Sequence, residues 1–227
     1  MKKYLFFLLV NFLAISGKSQ LLNLQDNVTG KPMFINQYEE FIGSAFLFDD
    51  WTHANLLGRN GVRYFNYQVK FDVYKNTFYF LHNNQMFEFV TDILEVEMHP
   101  NIVDSSSYLL FRKGYTNFPL VLPNVYCKVL ADGIITGIEL MGKQLNDVYE
   151  YGSANKTRQF FNKSENFFLK DKLVYKEKMS KKLMEQLTND KKEGIQKFIS
   201  SNSLNLKLNS DLLKIISYYN QNLTTQN

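Results

Sequence analysis

From residue 43 to about residue 176 the pattern of apolar and polar residues is that of β-strands. Val69, Phe71 and Val73 alternate with Gln68, Lys70 and Asp72, the period of a strand with one buried face. Lys75-Asn76 turns the chain into a strand over 77–81, and Asn83-Asn84-Gln85 turns it into another over 86–90, followed by a strand over 93–99. Two turn signals are sharper. Asn60-Gly61 separates 54–57 from 62–65, and Asp132-Gly133 separates 125–130 from 134–141. Both dipeptides suit a two-residue hairpin turn, whose central residues need positive φ. Phe118-Pro119 to Pro123 interrupts the series and predicts a loop crossing an edge.

Beyond Phe160 the period changes. Segments 167–169 and 173–175 form a last hairpin around Lys170-Asp171-Lys172. Three short helices follow. Ser180 caps one carrying Leu183, Met184 and Leu187, and Asp190 with Glu193 has capping-box spacing ahead of Ile195, Phe198 and Ile199. Asn209 or Ser210 caps the third, with Leu212, Leu213, Ile215 and Ile216 behind it. Helices of this length are marginal alone, so they dock on each other or on the sheet. The polar stretch 220–227 is expected to fray. The fold class is mainly β with a small α part: an antiparallel β-meander, as sandwich or half barrel, followed by three short C-terminal helices. The organisation is 1–19 signal peptide, 20–176 β-rich body and 177–227 helical appendage packed on that body.

The N-terminus carries a different pattern. Lys2 and Lys3 precede an apolar run over 4–15, broken only by Asn11, and small Gly17 and Ser19 follow. This is the form of a cleavable export signal, with cleavage between Ser19 and Gln20. The run falls short of the roughly 20 residues that span a bilayer. No later window reaches that length, so no membrane span is expected after signal removal. The only cysteine is Cys127, on a strand beside Val125 and Val129. That excludes a lipid-anchor cysteine behind the signal, an internal disulfide and a Cys-x-x-Cys site, and reads as a small core residue. The expected location is periplasmic or secreted.

Charge adds an asymmetry. The formal +4 falls to +1 once Lys2, Lys3 and Lys18 leave with the signal; residues 20–155 carry a net −6 and residues 156–227 a net +7. A basic helical end against an acidic β body suggests intramolecular complementarity or an anionic envelope partner. Nucleic acid is not expected for an exported chain without a binding motif.

Two clusters invite chemistry. Glu95, Glu97 and His99 share one strand face, yet Leu94, Val96 and Met98 on the other explain the alternation without a metal. Asp49-Asp50-Trp51-Thr52-His53 combines two carboxylates, the only Trp and a His in a turn, types that serve acid/base work or carbohydrate stacking. Adjacent carboxylates point different ways, and no second cluster offers a partner. Ser105-Ser106-Ser107 lacks a nucleophile elbow, and no phosphate loop, dinucleotide fingerprint or zinc-protease motif occurs. No catalytic, metal or cofactor residue is therefore assigned, and no cofactor is expected.

The stretch Gly43-Ser44-Ala45-Phe46-Leu47-Phe48-Asp49-Asp50-Trp51, with Asn66-Tyr67 and Asp72, and the Lys-rich end closing in Leu212-Leu213 and Tyr218-Tyr219-Asn220, resemble uncharacterised exported proteins of Bacteroidota-type bacteria. The resemblance implies an envelope location and a β-meander with a helical C-terminus, and no activity. The functional expectation is an exported envelope protein, not an enzyme, with a structural, interaction or ligand-binding role and an unknown envelope protein or apolar ligand as partner. Two alternatives stand beside it: a half-barrel carrier of lipid or another apolar ligand, and an envelope hydrolase using Asp49, Asp50 and His53.

Overall fold

The computed structural model describes residues 30–33, 38, 40–100, 108–119, 121–149 and 156–222. The signal segment and the pair Ser19-Gln20 lie outside the described residues, as does Ser105-Ser106-Ser107.

Two meanders share one sheet. The first half comprises β1 (Gly30–Pro32), β2 (Phe41–Ile42), β3 (Thr52–Gly58), β4 (Arg63–Asp72), β5 (Thr77–His82), β6 (Gln85–Phe89) and β7 (Ile93–His99). The second comprises β8 (Leu109–Arg112), β9 (Cys127–Ala131), β10 (Thr136–Tyr149), β11 (Lys156–Lys170) and β12 (Leu173–Lys176). The order is β1-β6-β5-β4-β3-β7-β8-β9-β10-β11-β12, and β2 pairs with β11 in parallel. β1 occupies the free edge of β6, so β7 returns to the other side of the first meander and pairs with β3. The chain is mainly β, with helices α1 (Lys181–Leu187), α2 (Lys192–Ser201) and α3 (Asn209–Asn222) at its C-terminal end.

The predicted alternation places the main core. Val69, Phe71, Phe78, Val96 and Phe111 are buried together, with Phe71 stacked on Phe78 at 4.4 Å between centroids. Burying one such side chain stabilises by about 1.5–3 kcal/mol. Asn76 seals one end: with φ +53 it turns the chain, its amide donates to the Tyr126 carbonyl (2.9 Å), and its oxygen accepts from Tyr126 N (2.7 Å).

A second core joins sheet and helices through Ala131, Ile135, Phe168, Leu183, Met184, Leu187, Ile215 and Ile216. Ser180 caps α1 as its spacing predicts, accepting from Leu183 N at 3.1 Å. Asp190 does not cap α2. That helix starts at Lys192 without a side-chain cap, because Asp190 is drawn to Lys170 Nζ and to Tyr219 Oη (2.8 Å). Asn220 is not frayed either. It lies in α3, and its side chain meets Ile135 N (2.9 Å), Ile135 O (2.9 Å) and Asp132 O (3.1 Å).

That bond reshapes the predicted Asp132-Gly133 turn. The strands end at Ala131 and resume at Thr136, leaving a four-residue loop, because Ile135 N is satisfied by the helix rather than by the opposite strand. Gly133 (φ +141) is required there, since a Cβ would lie 2.7 Å from Asn220 Cγ.

The long β10–β11 hairpin extends well past the predicted segments. Its outer half pairs Lys143 with Asn162, Gln144 with Phe161, Leu145 with Phe160 and Asn146 with Gln159, so polar residues dominate and the apolar signal is too sparse to mark a strand. Asp72 departs from expectation as well. Alternation assigns it to the open face, yet it is fully buried. Tyr38 and the strap over 40–48 cover that face: Leu47 N donates to Phe71 O and Val73 N to Ala45 O.

Candidate functional site

The face of β3, β4, β7 and β8 turned away from the main core carries the polar residues the sequence singles out. Register sets His53 opposite His99 and Asn55 opposite Glu97. The two clusters, 46 positions apart in the chain, therefore become one. Asn66, held at φ +58 where the β3–β4 register slips, adds the missing piece. Its Oδ1 pairs with His53 Nδ1 at 2.8 Å, and its backbone N–H donates to Asn55 Oδ1 at 3.3 Å. Asn55 Nδ2 donates to Glu97 Oε1 (3.3 Å), which also pairs with His99 Nε2 (2.8 Å). One chain of contacts, His53–Asn66–Asn55–Glu97–His99, thus crosses three strands. Asn55 and Asn66 are not legible as site residues from the sequence, because no local pattern ties either to His53 or Glu97.

The remaining predicted residues go elsewhere. Asp49 and Asp50 are exposed in the bend before β3, outside this network. Trp51 lies under the Lys70 ammonium (5.3 Å to the ring), which also sits 5.3 Å from the Phe46 ring. Glu95 accepts from Arg112 Nε (2.6 Å), which reaches Asp132 through a second nitrogen (2.7 Å). Among the described residues no three His, Cys, Asp or Glu side chains are arranged to hold a metal ion. Cys127 is fully buried between Ile138, Phe167 and Phe118, and burial pushes its thiol up to about 11. A thiol so placed is a poor nucleophile.

Two grooves meet at this face. One of about 230 Å³ is lined by Asn55, Phe65, Glu97, Leu110 and Arg112. The other, about 1070 Å³, runs along α2 and α3 past Phe198, Tyr218, Ser217 and Gln221. Tyr108 lines both, half exposed, with its ring 6.0 Å from that of His99. A third groove of about 440 Å³ lies between α1 and α2, with Met184, Ile195 and Ile199 as its floor and Lys181 and Lys192 at its rim.

Two ionic groups, one buried and one half-buried, serve the strap instead. Asp72 accepts from Tyr38 Oη (2.5 Å) and Lys75 N (2.8 Å); burial nevertheless raises its pKa above the ordinary carboxylate value. Lys143 donates to the carbonyls of Ser44 and Phe46, and burial lowers its pKa despite the charges of Asp49 and Asp72. No family model, curated protein or solved structure matches the chain. Among the described residues no helix is long and apolar enough to cross a membrane.

Proposed function

We propose that the chain is an exported envelope protein with a non-catalytic, ligand-binding role. The supporting observation is the state of its polar groups. On this sheet face His53 is engaged by Asn66, His99 by Glu97 and Arg112 by Glu95. Such a surface suits recognition. The hydrolase alternative draws no support from Asp49 and Asp50, which are exposed and separate from the His53 network. The half-barrel carrier fares little better, because aromatic rings fill the core face of the first meander. The test expresses the full chain in a Gram-negative host, fractionates the cells and reads the N-terminus of the product. A periplasmic or medium fraction starting at Gln20 supports the reading; a full-length cytoplasmic product overturns it.

A further inference from the structure

We infer that the trough formed by the two grooves meeting at Tyr108 binds an uncharged oligosaccharide. The inference deepens the ligand-binding reading above and rests on it. Size is the first argument. The larger groove, about 1070 Å³, slightly exceeds the range of about 300–1,000 Å³ typical of ligand sites, and the smaller one extends it across the sheet.

Charge is the second. The smaller groove sets Arg63 and Arg112 against Glu95 and Glu97, and in the larger one Lys214 is held by Asp211 at 2.7 Å. The lining of the smaller groove is thus neutral, and Lys214 on the larger groove is paired with Asp211, which does not itself line it, so Arg63 is the one lining charge without an ion pair among the described residues. What remains is aromatic faces beside neutral hydrogen-bonding groups. Phe198 and Tyr218 stack at 3.9 Å with planes 5° apart, and Tyr108 stands half exposed between that pair and the sheet. Asn202 and Asn222 each donate one amide hydrogen, to the Phe198 and Tyr218 carbonyls respectively, which orients both carboxamides; Ser217 and Gln221 are exposed beside them.

Flat apolar faces flanked by oriented neutral donors and acceptors match one ligand chemistry closely. A pyranose has an apolar C–H face that stacks on a ring and an equatorial belt of hydroxyls that exchange hydrogen bonds with amides. A peptide would also find amides here, but an extended one needs an unpaired strand edge, whereas β3, β4, β7 and β8 are paired on both sides.

The test is calorimetry on the protein after signal removal, residues 20–227, with linear hexasaccharides of glucose and of N-acetylglucosamine, a galacturonate oligomer and an unrelated extended peptide as probes. Binding of at least one neutral oligosaccharide is expected. Tyr108→Ala should weaken it about tenfold, while Tyr108→Phe, which keeps the ring, stays within about threefold. An unchanged thermal midpoint verifies that Tyr108→Ala folds; if it does not fold, Gln221→Ala on the exposed side of α3 serves as the second variant and must also weaken binding. Absence of binding to every neutral sugar overturns the inference, as does affinity indifferent to Tyr108, or a preference for the galacturonate or the peptide. Mass spectrometry of the recovered sugar separates the two readings: shortened sugar overturns the non-catalytic role while leaving the site in place.

Discussion

Asp72 shows at one residue how tertiary context overrides pattern. The alternation that correctly buries Val69 and Phe71 assigns Asp72 to water. It is buried because the strap lays Tyr38 and Phe46 over it, an arrangement set by contacts more than 20 positions away in the chain. Burial outweighs its two hydrogen bonds and raises its pKa. The native state therefore binds more protons than the unfolded chain between the ordinary carboxylate pKa and the raised one. Stability attributable to Asp72 is highest below that window and falls as pH rises through it. Asp72→Asn should remove this slope while keeping both contacts, since a carboxamide accepts from Lys75 N and the Tyr38 hydroxyl can reverse. Asp72→Ala should cost about 1–3 kcal/mol at neutral pH by leaving buried donors unpaired. Urea unfolding of the three proteins across pH 4–8 measures both effects; a wild-type slope retained in Asp72→Asn would refute the assignment.

Among the elements, strands with a wet and a dry face were legible, and so were helices with one apolar stripe. Those whose partners lie far along the chain were not. The outer half of β10–β11 is mostly polar, with few apolar positions beyond Leu145 and Phe160, and the end of α3 looks like a frayed tail until Ile135 and Asp132 supply its partners. The candidate site divides in the same way. His53, Glu97 and His99 stood out by residue type, but only register joins them, and Tyr108 and Tyr218 carry no signal of a binding role in sequence. Asn220 is the element-level test. It is the only side chain that hydrogen-bonds both Ile135 N and Ile135 O among the described residues. Asn220→Ala should cost about 1–3 kcal/mol, because it strands a backbone N–H and two carbonyls at the sheet–helix junction. Hydrogen exchange should then show faster opening of 132–136 and α3, with β3 and β7 unchanged; uniform loss of protection would show that the junction is not a separate unit.

At the scale of the molecule the question is whether residues 177–227 are an attachment or part of the fold. Charge predicts attachment by opposite signs, basic helices on an acidic sheet. The ion pair at the junction does not join those two halves: Lys170, from β11, and Asp190, from the helical end, both lie in the basic segment 156–227. Burial works against the Asp190 charge, yet the bonds from Lys170 and Tyr219 hold its carboxyl below the ordinary carboxylate range. Its contribution to stability is therefore present above that range and lost as pH falls through the lowered value. Most of the attachment is apolar. Leu183, Leu187, Ile215 and Ile216 are fully buried against Ala131, Ile135 and Phe168, none of which could stay dry without the helices. Ending the chain at Lys176 would uncover that set, a contiguous apolar patch of the kind that drives association. The truncated protein should form soluble oligomers or precipitate, and light scattering should register it at concentrations where the full chain is monodisperse. If the truncated chain instead stays monomeric with an unchanged unfolding midpoint, the helical end is dispensable to the fold. The trough at Tyr108 would then have one wall, along α2 and α3, attached to a body that does not depend on it.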